Sequence, residues 1–531
     1  VHQYPHCWRC KNPVLFRATE QWFCSVKDFK DATVKAINDV QWIPEWGHDR
    51  IKGMVNDRSD WCISRQRTWG VPIPVLYCKD CGKPIVNDST IKVISDMFRN
   101  EGSDNWYIKD PKEFLPADTK CECGCTEFVK EKDIFDVWFD SGVTHKGVME
   151  ERGYDLPVDL YLEGADQYRG WFQSSLLTSV ATKGRAPYKA VCTHGWVVDG
   201  EGKAMHKSLG NGIEASEITD QYGADILRLW TASSDYHSDI RISKEILKQL
   251  SDTYKKIRNT ARFILGNLCN GSGFNPETDC VSENELHEID KWALLKLNAL
   301  IDKSMAAYAA FDFHIVVSSI HNFCITDMSN FYLDIIKDRL YCTGEKSVDR
   351  RAAQTAMYTI LSAVSRLLAP ILCFTAEEIW KYIPHTSKDD ARSIFMNEMP
   401  KKVDISVSES FNEKWDTIYK LRSDVTKALE IKRRDKFVGA PLEAKIVIHA
   451  GDLCDKFKAF EDILKAVFIV SAVDISADGN GEFGSDNFDG VTYDVERAKG
   501  NKCERCWSYS ETVGSCAEHP TLCERCAGEM K

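Results

Sequence analysis

Apolar positions change their period along this chain, and each change marks a different kind of structure. Up to about residue 75 they follow no steady period and are interspersed with Trp, Pro and Arg, which predicts mixed strand and loop. From Phe135 to about Ile242, short apolar runs (Leu160-Tyr161-Leu162, Ala190-Val191-Cys192) alternate with helix-like stretches such as Trp171 to Ala181. Strand and helix in alternation predict a parallel α/β sheet. After Lys244 the spacing becomes that of packed helices. Leu294, Leu297 and Ile301 form one stripe and Phe331 and Ile335 another, while Thr375, with Glu378 three residues on, reads as a capping box ahead of Ile379-Trp380. A further helix is predicted from Trp415 to Lys436, carrying Lys432, Arg433, Arg434 and Lys436. A strand is predicted at Ala444-Lys445-Ile446-Val447-Ile448, and a loop or linker over the Gly-, Asp- and Asn-rich stretch 478–489. The pattern divides the chain at 1–75, 76–132, 133–245, 246–400, 401–495 and 496–531.

Length and composition narrow the class. A chain of 531 residues with 43% hydrophobic residues suits several ordinary globular domains. It has no apolar run long enough to span a bilayer and no secretory leader pattern, so no membrane partner is expected. The formal charge of -12 argues against a general nucleic-acid coat but leaves room for local basic patches.

The 21 cysteines point to metal rather than disulfides, because many fall in close pairs in a chain without a leader. Cys503-Glu504-Arg505-Cys506 followed by Cys523-Glu524-Arg525-Cys526 matches a closed structural zinc site of four thiolates. A second set, Cys78, Cys81, Cys121 and Cys123, has Cys125 as an alternative to Cys123. A third pair, Cys7 and Cys10, has no evident partner pair here. About two structural Zn2+ ions are expected.

The segment Gly200-Glu201-Gly202-Lys203-Ala204-Met205-His206-Lys207-Ser208 brackets basic residues with glycines, an arrangement that lets backbone and ammonium approach a phosphate. It lacks the order of a P-loop. Upstream stands Leu162-Glu163-Gly164-Ala165-Asp166-Gln167-Tyr168-Arg169-Gly170-Trp171-Phe172, and downstream Gly223-Ala224-Asp225-Ile226-Leu227-Arg228-Leu229-Trp230. The combination resembles class I aminoacyl-tRNA synthetases, with Ala204-Met205-His206-Lys207-Ser208 similar to their Lys-Met-Ser-Lys-Ser signature. Trp61-Cys62-Ile63-Ser64-Arg65-Gln66-Arg67 is similar to the isoleucine branch of that family; the valine branch is the nearest alternative.

The resemblance implies the second half of a Rossmann-type catalytic domain with an inserted zinc knuckle. An α-helical anticodon-binding bundle and a small α+β and zinc C-terminal module would follow. It implies ATP-dependent activation of isoleucine and transfer to tRNA(Ile), with ATP and Mg2+ as substrate, in a cytoplasmic monomer. Lys207 would be catalytic, with Met205, His206 and Ser208 in the ATP-binding loop and Glu163, Gly164, Asp166 and Gln167 around the adenylate. Ala204 stands where the family has its first loop Lys, and Lys203 is the residue that would replace that charge. A His-x-Gly-His motif and an editing domain are expected to precede residue 1, so the chain reads as a C-terminal part, inactive alone. Competing readings are a non-catalytic tRNA- or RNA-binding protein, which needs neither Glu163 nor Lys207, and a zinc-stapled scaffold, which leaves the loop unexplained.

Overall fold

The structure is a computed structural model that describes residues 3–7, 10–205, 210–269 and 273–530. It divides into two compact units, Val1–Trp196 with Tyr236–Asp239, and Val197–Asp235 with Ile240–Lys531.

In the first unit the opening stretch contains two helices, α1 (Lys30–Asn38) and α2 (Trp46–Asn56), on either side of a short strand β1 (Gln41–Ile43). This corrects the expectation of strand and loop alone. Ala36, Ile37, Ile51 and Val55 are buried against Trp42, Tyr168, Phe172 and Leu176. Short amphipathic helices of this kind are stabilised by tertiary packing more than by their own pattern. The insertion follows. Strands β2 (Leu76–Cys78) and β3 (Pro84–Ile85), helix α3 (Asp88–Glu101) and strand β4 (Phe128–Lys130) surround a small core of Leu76, Ile94, Met97 and Trp106. The strands pair antiparallel in the order β3-β2-β4. A capping box starts α3, with Asn87 Oδ1 accepting from the Thr90 N–H and Thr90 Oγ1 from the Asn87 N–H.

Helix α4 (Val137–Gly142), strand β5 (Val158–Gly164), helix α5 (Trp171–Lys183) and strand β6 (Tyr188–His194) complete this unit. The three strands form a parallel sheet in the order β1-β6-β5, with Ala190 opposite both Gln41 and Leu160. The central strand β6 is buried from Ala190 to Thr193, which explains why its sequence reads as a continuous apolar run without alternation.

The second unit opens with β7 (Val197–Val198), α6 (Ala215–Tyr222), α7 (Ala224–Ser233) and β8 (Ile240–Arg241), the two strands pairing parallel. Helices α8 (Lys244–Leu268), α9 (Glu288–Ala309), α10 (Phe313–Asn322), α11 (Lys337–Cys342), α12 (Val348–Leu368) and α13 (Cys373–Tyr382) form the bundle. Buried residues nearly encircle α12, among them Ala352, Ala353, Ala356, Met357, Ile360 and Leu367. Because α13 begins at Cys373, Thr375 lies inside it and not at its cap, which overturns the predicted capping box.

Helix α14 (Phe411–Arg434) leads to β9 (Ala444–His449), α15 (Glu461–Phe468), β10 (Ala472–Ser476), β11 (Phe483–Gly484) and β12 (Thr492–Arg497), a sheet in the order β10-β9-β12-β11. The polar stretch 478–489 is therefore part of a sheet as well as a loop. It is tied to α14 through Asp424, which accepts from Asn487 Nδ2 at 2.7 Å. Of the basic cluster on α14, Lys432 is mostly covered, lying over the rings of Phe437 and Phe483 and pairing with Glu482 at 2.6 Å.

Candidate functional site

In an open parallel sheet the carboxyl ends of the strands are where ligands settle, because the loops that leave them carry the adaptable side chains. Glu163 and Gly164 end β5, paired with Thr193 and His194 at the end of β6. The Glu163 side chain is exposed to solvent. A side chain on Gly164 would place its Cβ 2.8 Å from Asp166 Oδ1 and 3.5 Å from the His194 ring, so any other residue here would have to push the Asp166 carboxylate aside. The next turn is fixed internally: Gln167 Nε2 donates to Asp166 at 2.9 Å, and Gln167 Oε1 accepts from the Trp171 N–H at 3.0 Å, capping α5. The structure thus brings Glu163, Gly164, Asp166 and Gln167 together at one strand end. His194, which no motif singled out, joins them through strand register.

A cleft of about 560 Å³ lies in the same unit, lined by Arg58, Arg65, Asp136, Trp138, Arg169 and Gln173 among others. Asp136 is buried, accepting from Trp61 Nε1 at 3.0 Å and pairing with Arg65 at 2.9 Å. One turn on, Asp140 is pushed up to about 6, first by burial and then by the charge of Asp136. A Cβ on Gly170 would meet Gln167 Oε1 at 2.6 Å and the Trp138 ring at 3.0 Å. Arg58, Trp138 and Gln173 carry no motif spacing, which is why the sequence did not single them out.

In the second unit, Asp199 organises the glycine-bracketed loop. Its carboxylate accepts from the N–H groups of Glu201 and Lys203 at 3.0 and 2.9 Å and from Asn211 Nδ2 at 2.9 Å. These bonds, that of Asn211 foremost, hold its pKa below the ordinary carboxylate range. Gly202 has φ +84°, a conformation that calls for glycine, and a Cβ there would lie 3.2 Å from the Arg241 guanidinium. Lys203 pairs with Glu201 at 2.7 Å. Met205 packs beside Ile218, Ile226 and Trp230. His206, Lys207 and Ser208 lie outside the described residues.

On α8, Lys244, Lys248, Lys255, Arg258 and Arg262 are all exposed. At 3.6 residues per turn they share one face over roughly 27 Å, opposite the buried Ile257, Ala261 and Ile264. Lys255 pairs with Asp252; among the described residues no carboxylate pairs with the other four.

Two sets of cysteines converge. The sulfurs of Cys78, Cys81, Cys121 and Cys123, and separately those of Cys503, Cys506, Cys523 and Cys526, all lie within 4.8 Å of one another. Sulfurs bound to one tetrahedral zinc at about 2.3 Å stand roughly 3.8 Å apart. The Cys78–Cys123 and Cys81–Cys121 separations are 3.5 Å, and Cys506–Cys523 is 3.9 Å. Burial pushes the Cys503 thiol up, but the N–H groups of Cys506, Cys523 and Arg505 outweigh it and bring it down to about 6. Both donor sets therefore fit a zinc ion. Cys125 stands aside, its sulfur engaged with the Glu127 backbone. Cys7 and Cys10 belong to neither set; the Cys7 carbonyl accepts from the Lys11 N–H at 2.8 Å.

Three known families match this chain: "tRNA synthetases class I (I, L, M and V)" over residues 9–243, "Anticodon-binding domain of tRNA ligase" over 290–448, and "Zinc finger found in FPG and IleRS" over 500–527. The chain is 55% identical to the isoleucine–tRNA ligase of Caldicellulosiruptor bescii and 52% identical to that of Caldanaerobacter subterraneus, in each case over 100% of this chain and 57% of the relative. It thus spans 57% of the length of these curated relatives. Among solved structures, the Mycobacterium tuberculosis methionyl-tRNA synthetase in complex with methionyl-adenylate matches with a TM-score of 0.51 at 15% identity, over 75% of this chain and 69% of that one. This last likeness is one of fold.

Proposed function

This chain belongs to the class I tRNA synthetases, and on that premise we propose that it carries out part of isoleucine–tRNA ligation. In this reading an isoleucine carboxylate oxygen attacks the α-phosphorus of ATP bound with Mg2+. The bond to the bridging oxygen breaks, pyrophosphate leaves, and the isoleucyl-adenylate then passes its acyl group to the 3′ end of tRNA(Ile). Lys207 stabilises the charge developing on the pyrophosphate, with Met205, His206 and Ser208 beside it in the loop. Glu163 accepts from the ammonium or ribose of the adenylate, and Gly164, Asp166 and Gln167 shape the turn that holds it.

The observation that carries the reading is the solvent-exposed carboxylate of Glu163 at the end of a parallel strand, beside Gly164 and the hydrogen-bonded Asp166–Gln167 turn. A protein that only bound RNA would have no use for that arrangement. The names of the relatives favour isoleucine over valine. The cationic face of α8 supports tRNA as partner, since phosphates spaced along an RNA backbone suit cations spaced along a helix. Both cysteine sets hold structural Zn2+ in this reading, which supplies no catalytic chemistry because four thiolates leave no open position. A monomer in the cytoplasm completes the proposal.

The test is isoleucine-dependent ATP–pyrophosphate exchange, measured on the protein as the cell produces it. Lys207→Ala should slow exchange at least about tenfold, which is roughly 1.4 kcal/mol of transition-state stabilisation. An unchanged rate would remove Lys207 from this role, and exchange driven by valine in preference to isoleucine would reassign the substrate.

A further inference from the structure

Helix α7 carries two charged side chains whose partners are all on another element. Asp225 is buried, and its carboxylate accepts from the Phe374 N–H at 3.3 Å, the Thr375 N–H at 2.7 Å and the Thr375 hydroxyl at 2.6 Å. One turn on, Arg228 donates from Nε to the Ile371 carbonyl at 2.9 Å and from Nη2 to the Pro370 carbonyl at 2.7 Å. These partners are the turn between α12 and α13 and the first N–H groups of α13, a helix with no cap hydrogen bond from its own Leu372. The signs are matched to the backbone, with an anion at a helix N-terminus and a cation on carbonyls.

The other side of α7 belongs to the loop module. Ile226 and Trp230 pack with Met205, Ile213, Ile218 and Ile242. Trp230 Nε1 also donates to the Arg241 carbonyl at 2.9 Å, and the Arg241 guanidinium lies against Gly202, 3.2 Å from where a Cβ there would stand. Leu229, between Arg228 and Trp230, lies in the bundle core. One ten-residue helix is therefore shared by the core beneath the phosphate-binding loop and the core of the bundle.

Plain helix packing would need only apolar contact here. Two groups of opposite charge that each grip the backbone of the same turn impose direction and register as well: the buried Asp225 carboxylate is tolerated only because its hydrogen bonds are met, and the exposed Arg228 guanidinium adds two directional bonds to carbonyls. We propose that Asp225 and Arg228 are positioning residues that latch the α12–α13 turn to α7 and thereby set the 199–205 turn, so that RNA held by the bundle is felt at the loop. The role of the loop and the identity of the ligand rest on the function proposed above; the hold of the latch on the loop does not.

The experiment is hydrogen–deuterium exchange on the whole chain, with and without a tRNA(Ile) transcript, for the parent protein and for Asp225→Ala, Asp225→Asn and Arg228→Met. Without RNA, exchange over 199–205 should rise at least about threefold in Asp225→Ala and Arg228→Met while 353–364, in the bundle core, stays unchanged. Asp225→Asn should restore the parental rate, because Asn caps a helix about as well as Asp. With tRNA, the affinity of the Ala and Met variants should stay within about threefold of the parent, and the change that tRNA causes over 199–205 in the parent should be lost. Unchanged exchange over 199–205 in both variants overturns the latch, as does equal acceleration of 353–364, which would mark a purely structural role. If the parent fails to bind tRNA, the proposed function falls, and the RNA-free comparison still decides the latch.

Discussion

Asp290 is fully buried, and its oxygens accept from Nη1 and Nη2 of Arg339 at 3.0 and 2.8 Å and from the Tyr332 hydroxyl at 2.8 Å. The pair stands between two helices of the bundle, so removing one partner strands a charge away from water. Arg339→Met should destabilise the second unit by roughly 3–5 kcal/mol; a shift in denaturant midpoint worth under about 1 kcal/mol would contradict this account. His449 offers a different kind of test. Its Nδ1 faces the Asp478 carbonyl and its Nε2 the Asp494 carboxylate, both at 2.9 Å. Only the imidazolium donates from both nitrogens, so these two bonds, the backbone one first, raise its pKa. The sign follows from linkage: the stabilisation is complete below the unfolded value of about 6.5 and is lost as pH rises through the higher folded value. Stability of the 444–497 sheet should therefore fall across that window in the parent and stay flatter in His449→Asn, with the titration read from the histidine ring protons. At this scale the sequence named Glu163 and the cysteines because their types and spacing are chemically distinctive. Asp225, Asp290 and His449 were not legible, since the partners that satisfy them, apart from the His287 N–H at Asp290, lie between 29 and 150 residues away.

Among elements, the C-terminal cysteine module depends most on something besides apolar packing. Its buried cluster consists of the four cysteines with Cys342 of α11, and among the described residues the hydrophobic side chains packed against it are the partly buried Val513 and Leu522. So small a core cannot offset the ordering of the chain without a metal. The whole chain should hold about two zinc ions, and chelation should expose 499–530 to protease while the α12 core stays protected. A metal-free preparation with the same protection would refute the structural role. Contacts of the module with α11, where Arg525 pairs with Asp338 through two bonds at 2.6 and 2.7 Å, orient it on the bundle but supply little core. Element identity was most legible where the period was long or the chemistry strict, as in α9, α14 and the cysteine knuckles. It failed for α1 and α2, whose apolar faces are short, and at the start of α13, where a cap supplied by another helix outweighed a local Thr and Glu pattern.

For the whole molecule, a net charge of -12 and an RNA ligand are compatible only if the cations are gathered. The face of α8 gathers five. Neutralising Lys248, Arg258 and Arg262 to Gln should flatten the dependence of log K for tRNA on log salt by about 2, since each phosphate contact contributes roughly 0.7–0.9. An unchanged slope would place the RNA on another surface.

Sequence alone carried the resemblance to the synthetases, the C-terminal four-cysteine set and most of the second one, the order of α/β, helical and cysteine-rich segments, and the residue types at one strand end. All of these are local in the chain or carried by motifs whose chemistry tolerates few substitutes. Tertiary structure decided which thiol of Cys123 and Cys125 joins the cluster, that Gly164 abuts the Asp166 carboxylate and Gly202 turns at positive φ, and which side chains line the cleft at Arg58 and Trp138. It also decided that α7 is held at once by the loop core and by the bundle. Such facts depend on groups far apart in sequence meeting at hydrogen-bond or van der Waals distance, and no local period records that distance.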